Sequence, residues 1–143
     1  MKVQTVVFTV SLLASAAIAQ PSNSPPTLIF DGAWTVRIHC PSNTEESGAK
    51  GYKYEFAAIV KNGLLTGSHG EEGTAGSLRI EGQIQPNGEA TFLAHGRTGN
   101  PDYAAKKPPS GSAYSYTIKA HFEPSKGTGT RVEARVCNFT FRR

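Results

Sequence analysis

Apolar and polar residues alternate along separate stretches of this chain, and this alternation limits the possible fold more than any other feature. The clearest stretches are residues 34–40, 52–60, 78–84 and 114–122. A period of two places every second side chain on one face of a β-strand, whereas a helix needs a period near 3.6. Residues 102–107 could form one helical turn at most. The sequence therefore predicts an all-β fold.

Short turn motifs between these stretches predict local hairpins. The Asn-Gly pair at residues 62–63 suits a two-residue type I′ turn, because both positions need positive φ. Residues 86–88, with sequence PNG, suit a three-residue loop that sets Ile84 opposite Ala90. A third reversal is predicted at residues 126–129, with sequence KGTG. Strands joined in this way form an antiparallel meander.

The apolar face of such a meander must be buried. We predict that the sheet curls into a small antiparallel up-and-down β-barrel of about seven or eight strands, which removes exposed edges. A two-sheet β-sandwich is the alternative. Glycines inside the strand patterns suit the tight bending of a barrel wall, namely Gly67, Gly82 and Gly96.

The N-terminal segment has the pattern of a secretion signal. Lys2 is followed by the mainly apolar residues 3–18, and residues 17–19 read Ala-Ile-Ala, a small-x-small cleavage motif. A membrane anchor is the alternative, but a spanning helix needs roughly 20 apolar residues. We predict a signal peptide at residues 1–19 and a secreted or periplasmic protein without a membrane span.

The remaining chain has the length of one domain. Residues 20–28 are rich in proline and predict a flexible lead-in, and residues 29–143 then form a single β-barrel domain. The chain has two cysteines, Cys40 and Cys137. In an oxidising compartment they are expected to form one disulfide, which ties the first strand to the last and closes the barrel.

Charge and motifs exclude several classes of function. Basic and acidic residues are interspersed, and a formal net charge of +4 is too small to indicate nucleic-acid binding. No metal, cofactor or nucleophile motif is present, so we expect no cofactor and no metal. We also expect a monomer. His69 could act as a base with Glu71 or Glu72, and the hairpin register sets it opposite Phe56 on the apolar face.

Several motifs resemble those of known proteins. The motifs DGAWTV (31–36), GYKYEF (51–56), GRTGNPDY (96–103) and YSY (114–116) resemble small secreted bacterial proteins of unassigned function. This resemblance covers residues 31–141 and implies no particular chemistry. The opening motif Gly-x-Trp at residues 32–34 is also similar to that of avidin-like and lipocalin-like barrels. That second resemblance implies ligand binding in the mouth of a barrel.

The longest predicted connection, residues 97–112, is the first candidate site. Loops of this length in a small domain are usually functional or disordered. Its candidate ligand-binding residues are Asn100, Asp102, Tyr103 and Lys106. An aromatic ring beside hydrogen-bonding side chains suits a sugar-like or peptide ligand. A plain solvated loop stiffened by proline is the alternative.

The last predicted strand is the second candidate site. With regular pairing, three charged residues share the face of Cys137, namely Arg131, Glu133 and Arg135. If that face is internal, the two guanidinium groups could bind an anionic group. The alternative is a bulge near Val136 that turns Val132 and Ala134 inward and the charges outward.

Three functions are consistent with these features. The first is a non-catalytic binding protein for a small molecule, a glycan or another protein. The second is a small hydrolase or lyase that uses His69 with Glu71 or Glu72. The third is a structural envelope protein without a discrete site.

Overall fold

The computed structural model describes residues 28–43, 45–131 and 133–143, and these residues form a closed barrel of eight strands. Every strand is antiparallel to its neighbours, and the last strand pairs with the first. The barrel is confirmed and the sandwich is not formed. The strands are β1 (Gly32–Cys40), β2 (Tyr52–Lys61), β3 (Leu64–His69), β4 (Leu78–Gln83), β5 (Glu89–Arg97), β6 (Ala113–Glu123), β7 (Lys126–Arg131) and β8 (Cys137–Arg142).

Two short 3-10 helices, Leu28–Phe30 and Pro101–Tyr103, accompany the strands. No helix in the described ranges is long and apolar enough to cross a membrane. The predicted signal peptide, residues 1–19, lies outside the described residues. So does the predicted lead-in, residues 20–28, except for Leu28.

The structure confirms two of the predicted turns. Asn62 and Gly63 have φ values of 52° and 75°, as a type I′ turn requires. Ile84 pairs with Ala90, and Gly88 has a φ of 86°, so the three-residue loop keeps both apolar faces inward.

The reversal predicted at residues 126–129 is wrong. These residues belong to β7, and the chain turns at residues 124–125, because Glu123 pairs with Lys126. Added Cβ atoms at the two glycines of β7 would lie 3.0 Å from side-chain atoms of Phe122 and Ile118. The glycines therefore mark a crowded inner wall and not a turn.

One end of the barrel is filled with aromatic side chains; we call it the closed end. The short turns after β2, β4 and β6 lie here. Five rings pack with centroid separations of 4.8 to 6.0 Å, those of Phe30, Trp34, Phe92, Phe122 and Phe141. The indole Nε1 of Trp34 donates to the carbonyl oxygen of Phe30 at 2.8 Å. The lumen is solid at this end.

The opposite end, which we call the open end, carries the connections that follow β1, β3, β5 and β7, and the first three of these are the longest in the barrel. A disulfide joins Cys40 at the end of β1 to Cys137 at the start of β8, with their Cα atoms 4.2 Å apart. The predicted disulfide is thus confirmed. Because β1 and β8 are the first and last strands, this bond links the two edges of the sheet where the barrel closes.

Candidate functional site

All five tyrosines of the chain line one cavity of about 390 Å³ at the open end. We call this cavity the tyrosine cup. Tyr52 and Tyr54 come from the start of β2, Tyr114 and Tyr116 come from the start of β6, and Tyr103 comes from the connection between β5 and β6.

Strand geometry explains how residues so far apart in sequence meet. In an up-and-down barrel of eight strands, β2 and β6 lie on opposite sides, and both begin at the open end. A spacing of two places both tyrosines of each strand on its inner face. The rings stack within each pair, with centroids 5.7 Å apart for Tyr52 and Tyr54 and 5.9 Å apart for Tyr114 and Tyr116.

Tyr103 completes the cup from above. Its ring meets that of Tyr52 edge to face, with centroids 6.3 Å apart. Tyr103 ends the second 3-10 helix, and the Asn100 side chain caps that helix by accepting a hydrogen bond from the Asp102 backbone N–H at 2.9 Å. Asn100 and Tyr103, two residues of the candidate loop, both line the cup.

Burial favours the protonated hydroxyl in both tyrosine pairs. It raises the pKa of Tyr52, Tyr54 and Tyr116, and it raises the pKa of Tyr114 to about 12. The Tyr114 hydroxyl donates to the carbonyl oxygen of Ser77 at 3.1 Å. The hydroxyls of the other three hydrogen-bond to no described residue, so they can donate to and accept from a ligand.

The polar part of the wall is basic. The Arg131 guanidinium lies over the Tyr116 ring, 3.9 Å from its centroid, and its Nε donates to the Glu133 carbonyl oxygen at 2.9 Å. Arg97 also lines the cup and donates to the carbonyl oxygen of Gly111 at 3.2 Å. Among the described residues, no acidic side chain lines this cavity.

Arg135 fastens the rim of the cup. It is only 4% exposed and donates to three backbone carbonyl oxygens, those of Pro41, Lys50 and Tyr103. Pro41 and Lys50 lie between β1 and β2, and Tyr103 lies between β5 and β6. The Nε of Arg135 is buried without a partner among the described residues. Arg135 itself lies between β7 and β8, so its side chain links three connections of the open end.

The last strand does not run regularly from Arg131 to Phe141, as the first of the two alternatives required. The chain leaves β7 after Arg131, and β8 begins only at Cys137. Arg131 and Arg135 line the cup, as the internal alternative predicted, whereas Glu133 is exposed, as the bulge alternative predicted. The Glu133 carboxylate accepts from the Thr117 backbone N–H at 3.0 Å, because β6 continues beyond the end of β7.

Ala134, one of the two residues that the bulge alternative turns inward, does not lie inward. Ala134 is exposed, with a φ of 61°, and the predicted inward position of Val132 lies outside the described residues. A short connection between β7 and β8 therefore takes the place of the bulged strand.

Asp102 and Lys106 do not line the cup. Asp102 forms ion pairs with Lys50 at 2.7 Å and with Lys107 at 3.9 Å, and the hydrogen bond from Lys50 lowers the pKa of the Asp102 carboxyl. The backbone N–H of Lys106 donates to the Ser47 carbonyl oxygen at 3.3 Å. These contacts join the β1–β2 connection to the β5–β6 connection and so support the rim.

In the described residues, His69 pairs with neither glutamate of the histidine alternative. His69 lies on the apolar side as expected, with its ring 4.3 Å from that of Tyr54 and 6.4 Å from that of Phe56. Glu71 and Glu72 are exposed in the following turn, and no hydrogen bond or ion pair joins either one to His69 within the described ranges. The described residues also contain no cluster of three or more potential metal ligands.

Sequence reasoning missed four of the five cup tyrosines. The available signal was the motif Tyr-x-Tyr, which occurs at the start of two strands that begin at the same end of the barrel.

Comparison with known proteins gives no match among protein families, curated proteins or solved structures.

Proposed function

We propose that this protein is a secreted or periplasmic, non-catalytic binding protein that holds a small molecule in the tyrosine cup and acts as a monomer. One observation carries the proposal: every tyrosine of the chain lines the same cavity. Its volume of about 390 Å³ falls within the range of roughly 300–1,000 Å³ that is usual for small-molecule sites.

The chemistry of the cup suits binding better than catalysis. Tyrosine offers a flat apolar face for stacking and a hydroxyl for hydrogen bonding. A tyrosine pKa near 10 already leaves a hydroxyl neutral near pH 7, and burial raises the pKa of Tyr54 and Tyr116 further, so these hydroxyls are poor bases or nucleophiles. A ring, either aromatic or a sugar, could stack on the tyrosine pairs and hydrogen-bond to the free hydroxyls.

The disulfide supports a location outside the cytoplasm. Such bonds persist in oxidising compartments and are rare in reducing ones. The Cys40–Cys137 bond therefore agrees with the predicted signal peptide. Light scattering on the purified protein measures its molar mass and so tests whether it is a monomer.

Fluorine NMR gives a direct test of the site. Protein labelled with fluorotyrosine has five fluorine signals, and all of them report on the cup. Fluorotryptophan labels only Trp34, which is buried at the closed end. We expect ligands found in a library of aromatic and sugar fragments to shift tyrosine signals and leave the tryptophan signal in place. A library that shifts no tyrosine signal contradicts the proposal.

A pair of matched variants locates the binding. Ala105→Trp places a large ring on a residue that lines the cup, whereas Ala57→Trp places it on the exposed outer wall of β2. We expect Ala105→Trp to abolish the shifts and Ala57→Trp to retain them. Equal binding by both variants would place the ligand elsewhere.

A further inference from the structure

We propose that the ligand of the tyrosine cup is an aromatic carboxylate, whose ring stacks on the tyrosine pairs and whose carboxylate binds Arg131. This inference rests on the proposed function and adds a ligand class to it. Three features of the cup support it: its charge, the free edge of one guanidinium group, and the position of that group beside the rings.

The charge of the cup is of one sign. Arg97, Arg131 and Arg135 line the cavity, and none of its described lining residues is acidic. Asp102, which lies on the same connection as Tyr103, is held by Lys50 and Lys107 on the rim. An anion that enters the cup therefore meets three guanidinium groups on the lining, while the Glu133 carboxylate, whose charge acts on Tyr116, lies outside the lining and accepts from the Thr117 backbone N–H.

Only one of the three guanidinium groups keeps both terminal nitrogens available. Both terminal nitrogens of Arg135 donate to backbone carbonyls, and one terminal nitrogen of Arg97 does so as well. Arg131 uses only its Nε, and its two terminal nitrogens hydrogen-bond to no described residue. Two adjacent N–H donors match the geometry of a carboxylate, which accepts both.

The position of Arg131 places that charge beside the aromatic wall. Arg131 is the last residue of β7 and pairs with Ile118 of β6, two residues after Tyr116. Its guanidinium lies over the Tyr116 ring and its Nε donates to the Glu133 carbonyl oxygen, so two contacts position the group before a ligand arrives. A ligand that stacks in the cup can thus reach the charge with a carboxylate attached to its ring.

Isothermal titration calorimetry with three probes tests this ligand class on the purified protein. 2-Naphthoate carries the ring and the charge, 2-naphthamide carries the ring alone, and acetate carries the charge alone. A hydrogen bond to a charged group adds about tenfold or more to affinity. We expect naphthoate to bind at least about tenfold more tightly than naphthamide, and acetate to show no measurable binding.

Substitution of the arginine tests its role. Arg131→Met keeps an apolar side chain over Tyr116 but removes the charge, so naphthoate and naphthamide should bind equally. Arg142→Met makes the same charge change at an exposed position of β8 and should keep the preference. Arg131→Lys provides a second variant if the methionine variant does not fold. It keeps the charge without the two-donor geometry, and we expect a reduced preference.

The outcomes separate this inference from the proposed function. Equal affinity of the wild-type protein for naphthoate and naphthamide overturns the carboxylate and leaves a ring-binding cup. A full preference in Arg131→Met or in Arg131→Lys also overturns the role of Arg131. If naphthoate shifts no fluorotyrosine signal while other fragments do, the aromatic carboxylate is rejected and the cup remains a binding site.

Discussion

Arg135 lies where three connections of the open end meet, and no other polar residue in the described ranges links as many of them. Its guanidinium donates hydrogen bonds to the carbonyl oxygens of Pro41, Lys50 and Tyr103. These residues lie outside the strands, so their carbonyl oxygens have no partner in a neighbouring strand. Burial lowers the pKa of Arg135, but the group stays charged at neutral pH because its usual value is far higher. The rim of the cup therefore depends on a residue that need not touch a ligand.

Replacing Arg135 should loosen this rim. Arg135→Met leaves three carbonyl oxygens without their donor, and we expect the free energy of unfolding to fall by about 3 kcal/mol. Urea unfolding measures the change. The exposed control Arg142→Met should change stability by no more than about 0.5 kcal/mol. Identical unfolding midpoints for the two variants would show that the three hydrogen bonds do not hold the rim.

The buried tyrosines predict a loss of stability at high pH. Burial raises the pKa of Tyr114 to about 12, whereas a tyrosine in an unfolded chain has a pKa near 10. Stability from this shift is complete below the unfolded pKa and is lost as pH rises from about 10 through about 12. Burial also raises the pKa of Tyr52, Tyr54 and Tyr116, which adds to the same trend.

Urea unfolding at pH values from about 8 to about 11 checks this effect. We expect the midpoint to fall at the alkaline end and to fall less steeply in Tyr114→Phe, which has no proton to lose at that position. A midpoint that rises with pH, or the same slope in both proteins, would contradict burial as the cause.

At the scale of strands, sequence alone predicted most of the wall but not the site. The alternation of apolar and polar residues was sufficient to predict the strands, and the Asn62-Gly63 turn was sufficient to predict the first hairpin. Glycines were ambiguous, because the KGTG sequence suits a turn as well as a strand packed against Phe122 and Ile118. The two tyrosine pairs each read as an ordinary strand face. They face each other only because closure with eight strands sets β2 opposite β6.

Substitution of a glycine in β4 tests how tightly the barrel wall is packed. An added Cβ at Gly82 in β4 would lie 2.4 Å from the backbone oxygen of Thr91, which cannot move without disturbing β5. We expect Gly82→Ala to reduce the free energy of unfolding by about 2–3 kcal/mol. At Gly73 no atom lies within 4 Å of the added Cβ, so Gly73→Ala costs only the strain of its φ of 83°, about 1 kcal/mol. Chemical denaturation of both variants measures the difference, and equal losses would contradict a crowded wall.

The whole molecule has two unlike ends. Aromatic side chains fill the closed end and supply the apolar core, whereas longer connections frame the cup at the open end. The tyrosine pairs stand on β2 and β6 and pack against the core, whereas Tyr103 and the rim belong to connections outside the strands. The disulfide and Arg135 provide the cross-connections at that end.

Removing the disulfide should lower stability strongly. The bond closes a loop across 97 positions of sequence, for which the chain-entropy model gives an upper value of about 4–5 kcal/mol. We expect the variant with Cys40→Ser and Cys137→Ser to lose much of that amount in urea unfolding. The wild-type protein in reducing agent is the control and should lose as much. Unchanged stability in both would show that the bond does not constrain the unfolded chain.

The convergence of the tyrosines in one cup is tested most directly by NMR of a deuterated protein in which only tyrosine rings carry protons. Every nuclear Overhauser effect between rings then joins two tyrosines. We predict effects within the Tyr52–Tyr54 and Tyr114–Tyr116 pairs, and an effect between Tyr52 and Tyr103, whose ring centroids lie 6.3 Å apart. Effects confined to the two Tyr-x-Tyr pairs, with none that involves Tyr103, would contradict the cup.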